Sequence, residues 1–220
     1  MAFAKLWVIA YRDLGRNRRR SILSLVAVAL GLALLIVMNG YIAGVMDEAL
    51  QNDIRLRTGH VQIRAPSYEE EKLSLAWEDL LDDPEPLAAR ARALPEVKAA
   101  SPVLWASAIL NTIDDSAGVR LYGIDPTSSI YVPIQEAMVD GAFLSPDDRN
   151  GVVIGKRLAD TMGIELGQDI HLTIINADGQ PDAANFTVRG LFATGIGSYD
   201  QSSVFMPLVR AQAFTRTGGQ

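Results

Sequence analysis

Residues 16–47 read RNRRRSILSLVAVALGLALLIVMNGYIAGVMD, and this stretch decides the architecture. From Ile22 to Met38 the only polar side chain is Ser24, and after Arg20 no charge occurs before Asp47. Eleven residues of the Ile22–Met38 run are Leu, Ile or Val. At about 0.3–0.6 kcal/mol each, their transfer into bilayer hydrocarbon is favourable by roughly 3–6 kcal/mol. A helix of about 25 residues reaches roughly 37 Å, enough to cross about 30 Å of hydrocarbon. Arg16, Arg18, Arg19 and Arg20 would each cost about 2.5–3.5 kcal/mol at mid-membrane, so they stay outside as topology determinants.

Working outward, residues 1–20 carry six basic side chains against the single acid Asp13, a net of +5. From Asp47 onward 14 basic residues face 25 acidic ones, a net of −11. Basic flanks favour the cytoplasmic side. The expected order is a cytoplasmic amphipathic and basic segment over 1–20, a transmembrane helix over 21–46 and an extracytoplasmic domain over 47–220. A cleaved signal peptide is the rival reading, but its apolar core should span only about 7–15 residues before a small-x-small site. Ala27-Val28-Ala29 fits that site and lies too early, inside the apolar run. An uncleaved anchor is favoured.

Phe3, Leu6, Trp7, Ala10 and Leu14 fall on one face of a helix, with Lys5, Arg12 and Arg16 opposite. That separation suits a helix lying in the membrane–water interface, though a basic signal region is the blander reading. Within the span Ala29, Ala33, Gly40 and Gly44 share a stripe, and Gly40 to Gly44 reads GxxxG. Small residues let helix backbones approach in lipid, and such residues are also common in any membrane helix. The stripe supports packing against another helix.

Beyond the membrane the apolar helix is expected to run on through Arg57 and stop near Thr58-Gly59. His60–Ala65 alternates and predicts a strand. Ser67–Asp83 is irregular, with the acidic run Glu69, Glu70, Glu71. Pro84–Leu94 predicts a short helix, and Val97–Ile113 one long or bent strand that turns at Asp114–Gly118 into Val119–Ile124. Val152–Ile154 predicts a strand, Lys156–Met162 a helix capped by Gly163. Ile170–Ile175 and Phe186–Phe192 form a hairpin, with a bulge at Gly190. Val204–Met206 and a helix from Pro207 to Phe214 complete a mixed, largely antiparallel α+β domain.

Catalytic and metal-binding patterns are sparse. The chain has no cysteine, which removes disulfide, thiolate and iron–sulfur chemistry. Gly151–Arg157 (GVVIGKR) lacks the spacing and the hydroxyl residue of a phosphate-binding loop, so Gly155-Lys156 is read as a strand-to-helix turn. His60 and His171 have no companion at ligand spacing. Asp82-Asp83, Asp114-Asp115 and Asp147-Asp148 fall in turns. Ser198, Ser202 and Ser203 lack a nucleophile-elbow setting. The acidic domain argues against nucleic acid. No enzyme, metal or cofactor site is expected in this chain.

Two passages carry a resemblance. The opening AYRDLGRNRRRSILSLVAVALGLALLIVMNGY resembles the start of ABC-transporter permeases of the MacB, lipoprotein-releasing (LolC/LolE) and FtsX-like group. VVIGKRLADTMGIELGQDIHLTI, followed by FTVRGLFATGIGSYDQSSVFMPLVRAQAF, resembles the MacB-like periplasmic core domain. The resemblance implies a permease subunit of a bacterial inner membrane, with its main domain periplasmic. A separate cytoplasmic ATPase would bind ATP and magnesium, a second permease subunit would complete a homo- or heterodimer, and membrane lipids would surround the span. Motion of the outer domain would serve transport, in some members the release of lipoproteins to a periplasmic carrier. The family has three further membrane helices, so a continuation beyond Gln220 is expected. In the lipoprotein-releasing members a hook between the two strands corresponding to Ile170–Ile175 and Phe186–Phe192 grips the carrier. Here that connection is short and holds Pro181 as a possible partner contact. The alternative is a signal-anchored binding or sensory protein, and a less favoured one an anchored hydrolase.

Overall fold

The computed structural model describes Trp7 and residues 16–69, 75–113 and 115–218. Phe3, Leu6, Ala10 and Leu14 of the expected interfacial helix lie outside the described residues, as do Glu70, Glu71 and Asp114. Trp7 is exposed. Between Arg57 and Thr58 the chain divides into two compact units.

In the first unit α1 (Arg18–Asp53) is one unbroken helix. Its Leu- and Ala-rich sequence has no proline to remove a backbone donor. Its apolar side chains point outward all round, and none of its most hydrophobic window is buried. The helix is long and apolar enough to cross a bilayer. The one amide within the span, Asn39, donates through Nδ2 to Leu35 O at 3.1 Å, which satisfies part of its polarity along the helix itself. Ala29, Ala33, Gly40 and Gly44 are exposed, and a Cβ added at either glycine meets nothing within 4 Å. A wide π-helical turn over Ile54–Thr58 ends the helix, and Gly59 follows at φ 62°. The stop falls where the sequence puts it.

The second unit holds α2 (Pro84–Arg92), β1 (Leu104–Asn111), β2 (Ser116–Ile124), α3 (Val132–Glu136), β3 (Met138–Gly141) and β4 (Gly151–Gly155). It continues through α4 (Lys156–Met162), β5 (Asp169–Ile175), β6 (Pro181–Phe192), α5 (Gly197–Ser202), β7 (Ser203–Pro207) and α6 (Leu208–Thr215). The seven strands are ordered β3-β6-β4-β7-β2-β1-β5, and β6 pairs β5 as well. Along β6, residues 181–187 pair β5, while 187–192 pair β4 in parallel. The ladder therefore returns on itself through six strands, with β3 added to the far end of β6. Closure of this kind leaves few free edges. Pairing is antiparallel except for β2–β7 and β4–β6.

Alternation along the strands makes two apolar layers. Leu110, Leu121, Val152, Ile154, Leu172, Phe186, Val188, Val204 and Met206 face the first, joined by Leu158 of α4 and Ala211 and Phe214 of α6. The opposite face of β2, β4 and β7 supplies Tyr122, Ile124, Val153 and Phe205. There Phe192, Tyr199 of α5 and Ile134 of α3 are buried as well, so the central strands are covered on both sides.

Three expectations need correction. His60–Ala65 is not a strand: β1 lies between β2 and β5, and β2 between β1 and β7, so neither offers an edge for it. The long strand over Val97–Ile113 begins only at Leu104, beyond Pro102, which cannot donate to a ladder. β6 starts at Pro181 rather than Phe186. The bulge expected at Gly190 is present: Val152 opposes Val188 and Val153 opposes Gly190, which leaves Arg189 as the extra residue.

Candidate functional site

The β5–β6 hairpin is the place where the sequence analysis puts a possible partner contact. Its tip comprises residues 176–180, and Pro181 is the first residue of β6, opposite Ile175. The turn is built by Asn176, which is fully buried. Its Oδ1 accepts from the backbone N–H groups of Asp178 at 3.1 Å and Gln180 at 3.0 Å. Its own N–H donates to Gln180 O at 2.9 Å, and Gly179 takes φ 74°, where glycine carries no penalty.

The tip is also tied to its surroundings. Ala177 N–H donates to Thr215 O at 3.1 Å, at the end of α6. Trp77 Nε1 donates to Asp178 Oδ1 at 3.2 Å. Asp182 Oδ2 receives Arg216 Nε at 3.1 Å and Nη2 at 3.0 Å. Beneath the turn Thr215 and Thr217 are buried with their hydroxyls 3.1 Å apart. A hairpin held from two sides is a fixed feature of the domain surface. Asn176→Ala removes the acceptor of two backbone donors, and the expected loss is about 2 kcal/mol. A shift of the urea midpoint of the full chain in detergent, at constant slope, would report it.

From this hairpin an uncovered sheet face extends across β6, β5 and β1. Pro181, Ala183, Ile175 and Ile109 are exposed there. Ile109 stands bare because its partner on β2 is Gly118. Next to them Asn111 Nδ2 donates to Thr173 Oγ1 at 3.2 Å, and His171 Nδ1 lies 2.7 Å from Asn185 Oδ1. His171 is thus one rung of a polar ladder. At the β1–β2 turn Ile113 is 99% exposed.

Several other polar groups tie neighbouring backbone segments together. Asp200 is buried and accepts from Thr194 N–H at 3.0 Å, Thr194 Oγ1 at 2.7 Å and Gly195 N–H at 3.1 Å. Asp148 accepts from Ser145 N–H at 2.7 Å and pairs with Arg189 at 2.6 Å, beside an open groove of about 440 Å³. Ser198 and Ser202 lie in α5, where the Ser202 hydroxyl donates to Ser198 O at 2.8 Å. Among the described residues no group of three His, Asp or Glu side chains stands where it could hold a metal ion.

The fold contains its motif residues at structural joints: Gly155 and Lys156 at the β4–α4 junction, Gly163 as the left-handed cap of α4, Asp200 in α5. Trp77 and Asn176, which fix the hairpin, were missed by the sequence reading, since Trp77 meets a residue 101 positions away.

Residues 21–220 match the MacB-like periplasmic core domain. Among solved structures, the chain is similar to the extracellular domain of the noncanonic ABC-type transporter YknZ from Gram-positive bacteria, at 19% identity and a TM-score of 0.42. That likeness covers 59% of this chain and 64% of the other. It is also similar to the periplasmic region of MacB from Actinobacillus actinomycetemcomitans, at 19% identity and a TM-score of 0.43, covering 68% of this chain and 62% of that one. This chain thus spans under two thirds of the length of either. No curated protein matches it. The chain belongs to the family of the MacB-like periplasmic core domain.

Proposed function

We propose that this chain belongs to an ABC-transporter permease subunit, anchored in the inner membrane by α1 with the domain from Thr58 onward outside. One observation carries the reading: the match to the MacB-like periplasmic core domain, residues 21–220, takes in a helix long and apolar enough to cross a membrane. The subunit itself is not an enzyme in this reading. ATP and magnesium belong to a separate cytoplasmic ATPase, and a second permease subunit completes the membrane assembly. Work from hydrolysis moves the outer domain, which acts on an amphiphilic cargo such as a lipoprotein. The short, tied β5–β6 tip supports a mechanical role for this hairpin in place of a long hook for a lipoprotein carrier.

The arginines Arg16, Arg18, Arg19 and Arg20 hold the amino-terminal flank in the cytoplasm. Because the chain has no cysteine, single cysteines report topology without background. A membrane-impermeant maleimide added to intact spheroplasts should label Ile113→Cys and leave Asn17→Cys unlabelled until the membrane is opened. The reverse pattern would overturn the orientation. Purification of the full gene product from membranes should bring with it a nucleotide-hydrolysing subunit. Isolation of the chain free of any ATPase, from cells expressing its genomic neighbours, would sink the transporter reading.

A further inference from the structure

Gly59 follows the π-helical turn with φ 62°, and residues 60–68 form an irregular strap whose end is a turn closed by Tyr68 N–H on Ala65 O at 3.1 Å. Val61 and Ile63 are 83% and 56% exposed, so their apolar side chains do not hold it. Ala65 is buried, while Arg64 is exposed and lies against aromatic rings. The Arg64 guanidinium carbon lies 4.6 Å from the centroid of the Tyr68 ring and 5.6 Å from that of Trp105. Gln62 Oε1 accepts from Arg64 Nε at 2.7 Å and so orients the planar group. Arg120 of β2 approaches the same Trp105 ring at 5.7 Å. Farther along, the Ser67 hydroxyl donates to Glu78 O.

Trp105 leads inward. It meets Tyr122 edge-on at 5.7 Å, and Tyr122 stacks on Phe205 at 4.9 Å. Phe205 in turn touches Phe192 and Tyr199. The strap is therefore fastened to an aromatic layer that spans β1, β2 and β7 and reaches α5 and the end of β6.

We propose that Arg64 is a positioning residue: it clamps the strap to Trp105 so that tension arriving along the chain from α1 enters the domain at the β1–β2 face. Without the clamp, the same tension first peels residues 60–68 away, and displacement of α1 is absorbed as slack. The inference rests on the reading that α1 passes motion to the domain. Its test needs no ATPase, so the two can fail separately.

The test uses the full chain in nanodiscs, with paired cysteines as handles on a background free of thiols. One pair, His60→Cys with Val209→Cys, loads the strap. The other, Ile113→Cys with Val209→Cys, bypasses it. Under constant load the first pair should show a discrete extension of at most roughly 27 Å, the contour of about eight residues, before the domain unfolds. Arg64→Ala should speed that step roughly tenfold, as expected when one guanidinium leaves two aromatic rings, with the second pair unchanged. Arg64→Lys, which keeps the charge and stem but loses the planar stack, should fall between the two. Equal release rates in Arg64→Ala and the parent would overturn the clamp. So would a change of similar size in both pulling geometries, because that pattern belongs to a residue that merely stabilises the fold.

Discussion

Phe205→Ala is expected to destabilise the domain by about 3–5 kcal/mol, the range for truncating a buried aromatic residue. Phe205 is 1% exposed and sits on β7, with Tyr122 of β2 on one side and Val153 of β4 on the other. Its ring stacks on Tyr122 at 4.9 Å and meets Phe192 edge-on at 5.5 Å. Removing it opens a void between strands paired on both edges, which cannot collapse inward without breaking ladders. Typical domain stabilities are about 5–15 kcal/mol, so the loss is a large share of the total. Phe205→Leu keeps most of the volume and should cost under about 2 kcal/mol. Urea titration of both variants, followed by tryptophan fluorescence, measures the difference. A Phe205→Ala loss below about 1 kcal/mol would show that the second apolar layer does not hold the sheet together.

How far the sequence reveals this fold depends on where each element gets its stability. In β5, Ile170, Leu172 and Ile174 are buried while Asp169, His171 and Ile175 face outward, so local alternation alone identifies the strand. Gly163 and Gly179 occupy left-handed conformations at the helix cap and turn assigned to them, because only the backbone geometry of those sites selects the residue. Elements defined by partners far along the chain are different. Residues 181–185 read PDAAN, with no β pattern, yet they form a strand because β5 lies alongside as a template. β3 has four residues and α3 five, too few to show a period. α5 (GSYDQS) has no helix signal, and its start is organised by Asp200 holding Thr194 and Gly195. His60–Ala65 alternates convincingly, but β1 and β2 are already paired on both sides.

The same division applies to the candidate sites. The apolar rod and its arginine flank are written in consecutive residues, and α1 spans the segment they mark. The hairpin anchor and the strap join residues that composition cannot bring together: Trp77 with Asp178, Arg64 with Trp105. Family membership was legible through glycines and short apolar triplets at β4, α4 and β7, since these mark backbone contacts that few sequences satisfy.

Gly155→Ala is the sharpest case of such a contact. The glycine ends β4 and precedes α4, in a sequence that superficially resembles a phosphate-binding loop. Its φ is −66° and ψ 139°, a conformation open to any residue, so flexibility is not what the position requires. The requirement is space. A Cβ there would lie 1.9 Å from Asp200 O and 2.7 Å from Asp200 Cα. Backbone atoms cannot rotate aside as a side-chain end would, so α5 must move away from β4. That movement pulls Asp200 from Thr194 and Gly195 and loosens Tyr199, which lies in the aromatic layer beside Phe205. Overpacking by one methyl group typically costs about 1–3 kcal/mol. Adding the disturbed hydrogen bonds to a buried carboxylate, about 1.5–3 kcal/mol, brings the expected loss to roughly 3–5 kcal/mol. Gly151→Ala supplies the control, because a Cβ at that glycine has no neighbour closer than 3.4 Å. Equal urea midpoints for the two variants would show that the β4–α5 approach tolerates a side chain, and the steric account of Gly155 would fall.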